Sequence, residues 1–380
     1  MNPLLQLREF GQSVWYDNIH RGLLRSGELA ALVRDDGVRG VTSNPTIFEK
    51  AIAGSKEYDE ALAQLAGGCA APRDAFFAVA VADIQQAADI LRPVYDESQG
   101  HDGFVSLEVS PDLAYDTAGT IAEAKQLWER VDRPNLMIKV PATAEGVVAF
   151  EALVAEGINV NVTLLFAVSR YREVVDAYQA GLESRMRRGL PVAGIASVAS
   201  FFVSRVDSAV DKALADKLAA GAYEDSEQVR RLMGKIAIAN AKVAYAWYQT
   251  AFSDARFEKL SAAGAAPQRL LWASTGVKNP HYSDVLYVEA LIGDNTVNTM
   301  PPATLAAFRD HGRVAATLTQ GLDQAKSQLS ALGALGIDLG AVTDKLEEDG
   351  VTAFAKSFDG VLAAVAEKCA PAGLKHHAAG

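Results

Sequence analysis

Lys139 lies in the run Leu136-Met-Ile-Lys-Val-Pro141, where every neighbour is apolar. Apolar surroundings disfavour the ammonium form and lower a lysine's pKa. The neutral amine can attack a carbonyl and form a Schiff base. That chemistry also needs an acid and a base nearby, because a carbinolamine must lose water and a neighbouring hydroxyl must lose a proton. Two carboxylates stand in comparable apolar runs: Asp17 at the end of residues 14–17, and Glu108 within residues 104–109.

Extended chain places residues i and i+2 on one face. Ser106, Glu108 and Ser110 then share a face, opposite Val105, Leu107 and Val109. Asn159, Asn161 and Thr163 oppose Val160 and Val162, Lys139 shares its face with Met137, and Asp17 shares its face with Trp15. A lone acid or lysine in a strand is ordinarily a paired structural charge or a snorkelling side chain. Recurrence on four strands with consistent facing points instead to one polar pocket.

The elements that would position these residues alternate along the chain. Apolar runs at 14–17, 38–43, 104–109, 136–140, 159–163, 193–200, 269–274 and 286–292 read as strands. Several are apolar on both faces, as in parallel strands covered by helices. Helical patterns fill the intervals at 73–94, 117–131, 145–155, 168–188, 203–218 and 230–252. This order predicts an α/β fold, and about eight strands in one chain favour a (β/α)8 TIM barrel with additional C-terminal helices over an open sheet. The expected organisation is a single domain over 1–380, with a barrel core at about 13–300 and a helical extension at about 302–369. In the extension, Asp338 is expected to cap a helix over 339–346, and Gly350 to break it before 351–368. In such a barrel the polar faces point into the lumen and reach the mouth at the strands' C-terminal ends.

Composition narrows the function. With 49% hydrophobic residues, the 380-residue chain can bury a large core and is not disordered. A formal charge of -11 makes it a poor binder of nucleic acid or of an anionic membrane. Two cysteines, Cys69 and Cys369, form no disulfide framework and suit a reducing compartment. No signal peptide is visible, and the apolar stretch 75–84 is too short to span a bilayer, so a cytoplasmic location is expected. No glycine-rich nucleotide loop or serine nucleophile elbow is present. His20, His101, His281 and His311 are isolated, and His376 and His377 lie in the tail, so neither metal nor cofactor is expected.

Five segments resemble the transaldolase family, in the family's order. GVTSNPTIF (40–48) resembles its Ser/Thr-Asn-Pro signature, NLMIKVPAT (135–143) its Schiff-base lysine strand, and GINVNVTLLF (157–166) its asparagine strand. SFFVSR (200–205) and LWASTGVK (271–278) also fit, the latter in the manner of a longer bacterial branch. The resemblance implies a cofactor-free transfer of a dihydroxyacetone unit between sugar phosphates of the pentose phosphate pathway. Lys139 would form the imine. Asp17 would take the proton from the C4 hydroxyl, and Glu108 would act through a water also held by Thr163. Asn44 and Asn161 would hold the three-carbon fragment. Arg205, with Ser200 nearby, would bind phosphate, and Lys278, with Ser274, would supply a second phosphate cation.

Two rival readings carry different expectations. A fructose 6-phosphate aldolase would release free dihydroxyacetone; those relatives are much shorter and place a tyrosine in the proton-transfer role. A catalytically silent barrel would serve as a scaffold. The retained Asp17, Glu108 and Lys139 argue against both. The expected partners are small sugar phosphates, with the chain a monomer or homodimer. The charged, helical insertion at 223–261 carries no readable function.

Overall fold

A computed structural model describes residues 2–67, 70–221 and 226–370. Cys69, His376, His377 and the start of the insertion at Tyr223 lie outside the described residues. Eight parallel strands close into a barrel in chain order. They are β1 (Gln12–Tyr16), β2 (Val38–Val41), β3 (Phe104–Glu108), β4 (Leu136–Pro141), β5 (Val160–Leu165), β6 (Ser197–Phe202), β7 (Arg269–Ala273) and β8 (Thr296–Met300). Helices lie between successive strands, as expected of a (β/α)8 TIM barrel. β3, β4 and β5 are buried at every position, which explains their near-continuous apolar sequences.

The helices begin where side chains can satisfy free amides. Asp116 accepts from Gly119 N at the head of Thr117–Val131, and Thr143 from Gly146 N at the head of Ala144–Glu156. At its floor the barrel is closed by Asp102, which is 4% exposed. Asp102 accepts from Ser13 and from the Trp15 indole (2.8 Å), and pairs with Arg39 (3.2 Å) and Arg269 (3.5 Å).

Three sequence expectations need correction. The eighth strand is not 286–292. That segment holds a short helix, Leu286–Ala290, whose Val288 fills the core together with Leu291 and Ile292 just beyond it. The true β8 has the sequence TVNTM, whose threonines and asparagine hide it from an apolar pattern, yet it pairs with both β7 and β1. Residues 230–252 are not one helix but two, Ser226–Leu232 and Ile236–Ala251, separated at Gly234, where φ is +67°.

Nor does Gly350 break the C-terminal helix. Helix Leu339–Cys369 runs unbroken through it, and a Cβ there would lie 2.9 Å from Leu164 Cδ2. The glycine permits close approach to β5, where Leu164 takes a left-handed φ of +57° and the β5–β6 register shifts. This helix crosses the barrel mouth. Phe358 packs edge-on against Phe76 with centroids 5.5 Å apart, and Ser357 bonds Thr46 at 2.9 Å. Near its end, Lys368 donates to Ser55 O at 2.8 Å and pairs with Asp59.

Candidate active site

Strand register aligns three of the expected residues. Glu108 on β3 is the partner of Lys139 on β4, and Lys139 is the partner of Asn161 on β5. Glu108 and Lys139 are 8% and 4% exposed, which puts a carboxylate and an amine inside the barrel. Lys139 Nζ lies 3.4 Å from Glu108 Oε2 and donates to the carbonyl of Ser43 at 3.1 Å. The surroundings of the lysine therefore differ from the apolar pocket its sequence suggests. Its nearest polar neighbours are an acid from the adjacent strand and a backbone oxygen from the loop after β2.

Around this pair some polar groups are held and others are left free. Asn161 donates to Ser106 Oγ at 3.0 Å and accepts from Ser200 Oγ at 2.7 Å, so its amide orientation is fixed by side chains of β3 and β6. Thr163 Oγ1 and Glu108 Oε2 are buried and have no hydrogen-bond partner among the described residues. Asn159, expected on the same face, instead stitches the barrel floor: it donates to Leu136 O at 3.2 Å and accepts from Ala196 N at 2.9 Å.

Asp17 comes from the opposite part of the mouth, one residue beyond β1. It accepts from the Thr42 hydroxyl at 2.6 Å, and Thr42 in turn lies 2.7 Å from Thr299 Oγ1 on β8. Burial pushes the carboxyls of both Asp17 and Glu108 above the usual range. Lys139 opposes this shift in each case, as does the Thr42 bond for Asp17. Both acids can thus hold a proton more readily than a surface carboxylate, a property suited to proton relay.

Asn44 is half-buried and caps helix Pro45–Ala53 by accepting from Ile47 N at 3.0 Å, which leaves its amide nitrogen for the cleft. Arg205, in the first turn of helix Ser204–Ala219, lies 5.2 Å from the Phe202 ring centroid and 5.9 Å from that of Phe354. No carboxylate among the described residues pairs with it within 4 Å. Burial draws its pKa down, against the fields of Asp17 and Glu108. Ser274 follows β7 with a left-handed φ of +55° and bonds Ser204 Oγ at 2.9 Å. Lys278 is exposed at the rim.

Two adjoining chambers, of about 530 and 140 Å³, share Asp17, Asn44, Arg205, Pro301 and Phe354. The inner one is also lined by Lys139, Thr163, Ser200, Ser274 and Lys278. All of the expected site residues therefore converge on the mouth, with Glu108 and Asn161 supporting the inner wall through Lys139 and Ser200. Thr42, the Ser43 carbonyl and Ser106 lie within segments whose polar character is visible in the sequence. Phe354 was missed. Its ring lies 6.0 Å from Lys139 Nζ, and no local pattern in a long amphipathic helix marks it.

The family model described as Transaldolase/Fructose-6-phosphate aldolase matches residues 14–365. The chain belongs to the transaldolase/fructose-6-phosphate aldolase family. A transaldolase of Thiobacillus denitrificans is 50% identical over 365 residues, covering 96% of this chain and 100% of the relative. One from Thermobifida fusca is 51% identical over 370 residues, covering 97% and 99%. A protein named Transaldolase 2 from Nostoc sp. is 46% identical over 369 residues, covering 95% and 96%. The transaldolase relatives span the barrel and the C-terminal helix alike, and the chain is an enzyme of this transferase class. No helix among the described residues is long and apolar enough to cross a membrane.

Proposed function

We propose that the chain is a transaldolase acting on phosphorylated sugars in the pentose phosphate pathway. It would move a dihydroxyacetone unit from sedoheptulose 7-phosphate or fructose 6-phosphate to glyceraldehyde 3-phosphate or erythrose 4-phosphate. The observation that carries this reading is the layer Glu108–Lys139–Asn161 on three adjacent strands, with Asp17 lining the same inner chamber as Lys139.

Lys139 Nζ attacks C2 of the ketose and forms a carbinolamine. Its hydroxyl leaves as water when Glu108 supplies a proton, through a water held between Glu108 and Thr163. Thr163 Oγ1, buried and without a hydrogen-bond partner among the described residues, supports that role, and Glu108 Oε2 faces Lys139 Nζ at 3.4 Å. Asp17 then takes the proton from the C4 hydroxyl. The C3–C4 bond breaks and its electron pair enters the iminium, leaving an enamine on Lys139 and a free aldose phosphate. Asn44 and Asn161 hold the fragment by its hydroxyls. An incoming aldose phosphate is attacked by the enamine carbon, and protonated Asp17 neutralises the new alkoxide. Hydrolysis of the imine, with Glu108 as base, frees the product.

Arg205 and Lys278 serve as phosphate cations; a guanidinium placed over Phe202, with no carboxylate partner among the described residues, suits charge-assisted binding. The barrel at about 13–300 and the extension at about 302–369 work as one domain, since Phe354 of the extension lines both chambers. The setting is the cytoplasm, the chain acting as a monomer or homodimer without nucleic-acid partner.

Coupled assays with and without an aldose phosphate acceptor test the transfer. Product formation that requires the acceptor supports it. Equal release of free dihydroxyacetone without acceptor would assign the chain to the aldolase side of the family.

A further inference from the structure

The helix that opens with Ser204 and Arg205 carries two aspartates one turn apart, and both are bonded in the same pattern. Asp207 accepts from the Ala237 amide at 2.7 Å through one oxygen and from the Tyr287 hydroxyl at 3.0 Å through the other. Asp211 accepts from the Gly234 amide at 2.9 Å and from the Tyr282 hydroxyl at 2.7 Å, again through separate oxygens. Both amides belong to the 223–261 insertion. Both phenols belong to the connection between β7 and β8, Tyr282 in its loop and Tyr287 in its short helix; the same connection carries Ser274 and Lys278. Each carboxylate thus joins three pieces of chain that are far apart in sequence.

The bracket is tightly built. Asp207 and Tyr287 are 1% and 2% exposed. Gly234 has a φ of +67°, and a Cβ there would lie 2.8 Å from the Tyr282 ring, so only glycine lets the ring lie on this backbone. Burial and the adjacent carboxylates push both phenols well up, which keeps them protonated and donating. Nearer the strands, Ser204 N donates to Ser274 O at 2.9 Å, pinning the same loop to the same helix a second time.

We infer that Asp207 and Asp211, with Tyr287 and Tyr282, form a double bracket that positions Lys278 relative to Arg205 for a substrate phosphate, with the insertion as its anchor. This rests on the reading of Arg205 and Lys278 as phosphate cations. The four residues touch no substrate; they are positioning residues.

The test exchanges Tyr282→Phe and Tyr287→Phe, singly and together, in the full chain. Loss of a hydrogen bond to a charged group should raise both the KM for fructose 6-phosphate and the inhibition constant of inorganic phosphate, by roughly three- to tenfold for each exchange. The kcat, and the rate of borohydride-trapped imine formation with unphosphorylated dihydroxyacetone, should stay within about twofold. Adding Tyr282→Phe to Lys278→Ala should raise KM no further. An unmoved KM in the double variant, with Lys278→Ala still raising it, would overturn the bracket. So would an equal loss of trapping with dihydroxyacetone, which reports damage to the barrel itself. If neither Arg205→Ala nor Lys278→Ala weakens phosphate inhibition, the phosphate reading falls, and the bracket's purpose with it. Tyr282 is half-buried, so its single exchange reads the proposal even if Tyr287→Phe fails to fold.

Discussion

Replacing Glu108 by glutamine separates imine formation from carbon–carbon cleavage. The exchange keeps the shape of the side chain and removes its charge and its proton. Glu108 Oε2 lies 3.4 Å from Lys139 Nζ, with the two side chains 7% and 5% exposed. Removing one member of a buried pair costs about 3–5 kcal/mol of stability. The variant should therefore melt earlier but still fold, because the barrel's core is otherwise intact. Loss of a positioned general acid slows the step it serves by roughly 10²–10⁴, or about 3–5 kcal/mol of barrier at 1.36 kcal/mol per decade. The assay is single-turnover borohydride quenching with fructose 6-phosphate, with the adduct counted by mass spectrometry. The rate at which adduct appears should fall by that factor while its final extent stays the same. Asp17→Asn should behave in the opposite way, with imine appearing at near wild-type rate and no aldose phosphate released. Trapping in Glu108→Gln within about threefold of wild type would refute the assignment of the dehydration proton to this residue.

Three further outcomes follow from the same geometry. The Thr42 hydroxyl favours ionised Asp17, so Thr42→Val should raise the Asp17 pKa and move the acid limb of the kcat/KM profile to higher pH; a limb that stays put, or moves down, removes Asp17 from that role. Phe354 faces both Lys139 and Arg205, and the aromatic–cation contact with Arg205, worth about 0.5–1 kcal/mol, predicts a loss of roughly two- to fivefold in kcat/KM for Phe354→Ala, read by steady-state assay against an expectation of no change if the helix is mere cover. Glu347, on the same helix, is pushed up to about 7 by burial, with Asp344, Glu173 and Glu145 adding to the shift and Arg170 opposing it. The folded state then binds more protons than the unfolded one between pH 4.5 and about 7, so stability falls as pH rises through that window. Thermal melts should show a shallower fall across it for Glu347→Gln, and parallel slopes would contradict the linkage.

The alternation of strands and helices was legible because parallel strands buried on both faces write themselves as apolar runs, as β3, β4 and β5 do. The inward polar residues stand out against those runs, so Glu108, Lys139 and Asn161 read as one pocket from the sequence alone. What escaped has a physical cause in each case. β8 is mostly threonine and asparagine, so its burial comes from neighbours and not from its own apolarity. Gly350 reads as a helix breaker locally, but tertiary contact with Leu164 outweighs that propensity. Phe354 reaches the site from a helix more than 200 residues beyond Lys139, and no short-range pattern encodes that distance. The insertion at 223–261 reads as charged helix without a function because the contacts it makes with Asp207 and Asp211 run through backbone amides, which sequence does not display.

Sodium borohydride added with fructose 6-phosphate, followed by peptide mapping, bears most directly on the reaction as a whole. One reduced three-carbon unit on Lys139, absent from a Lys139→Met protein, is the expected result. An adduct on Lys278 or any other lysine, or full transfer activity with Lys139 unmodified, would contradict it.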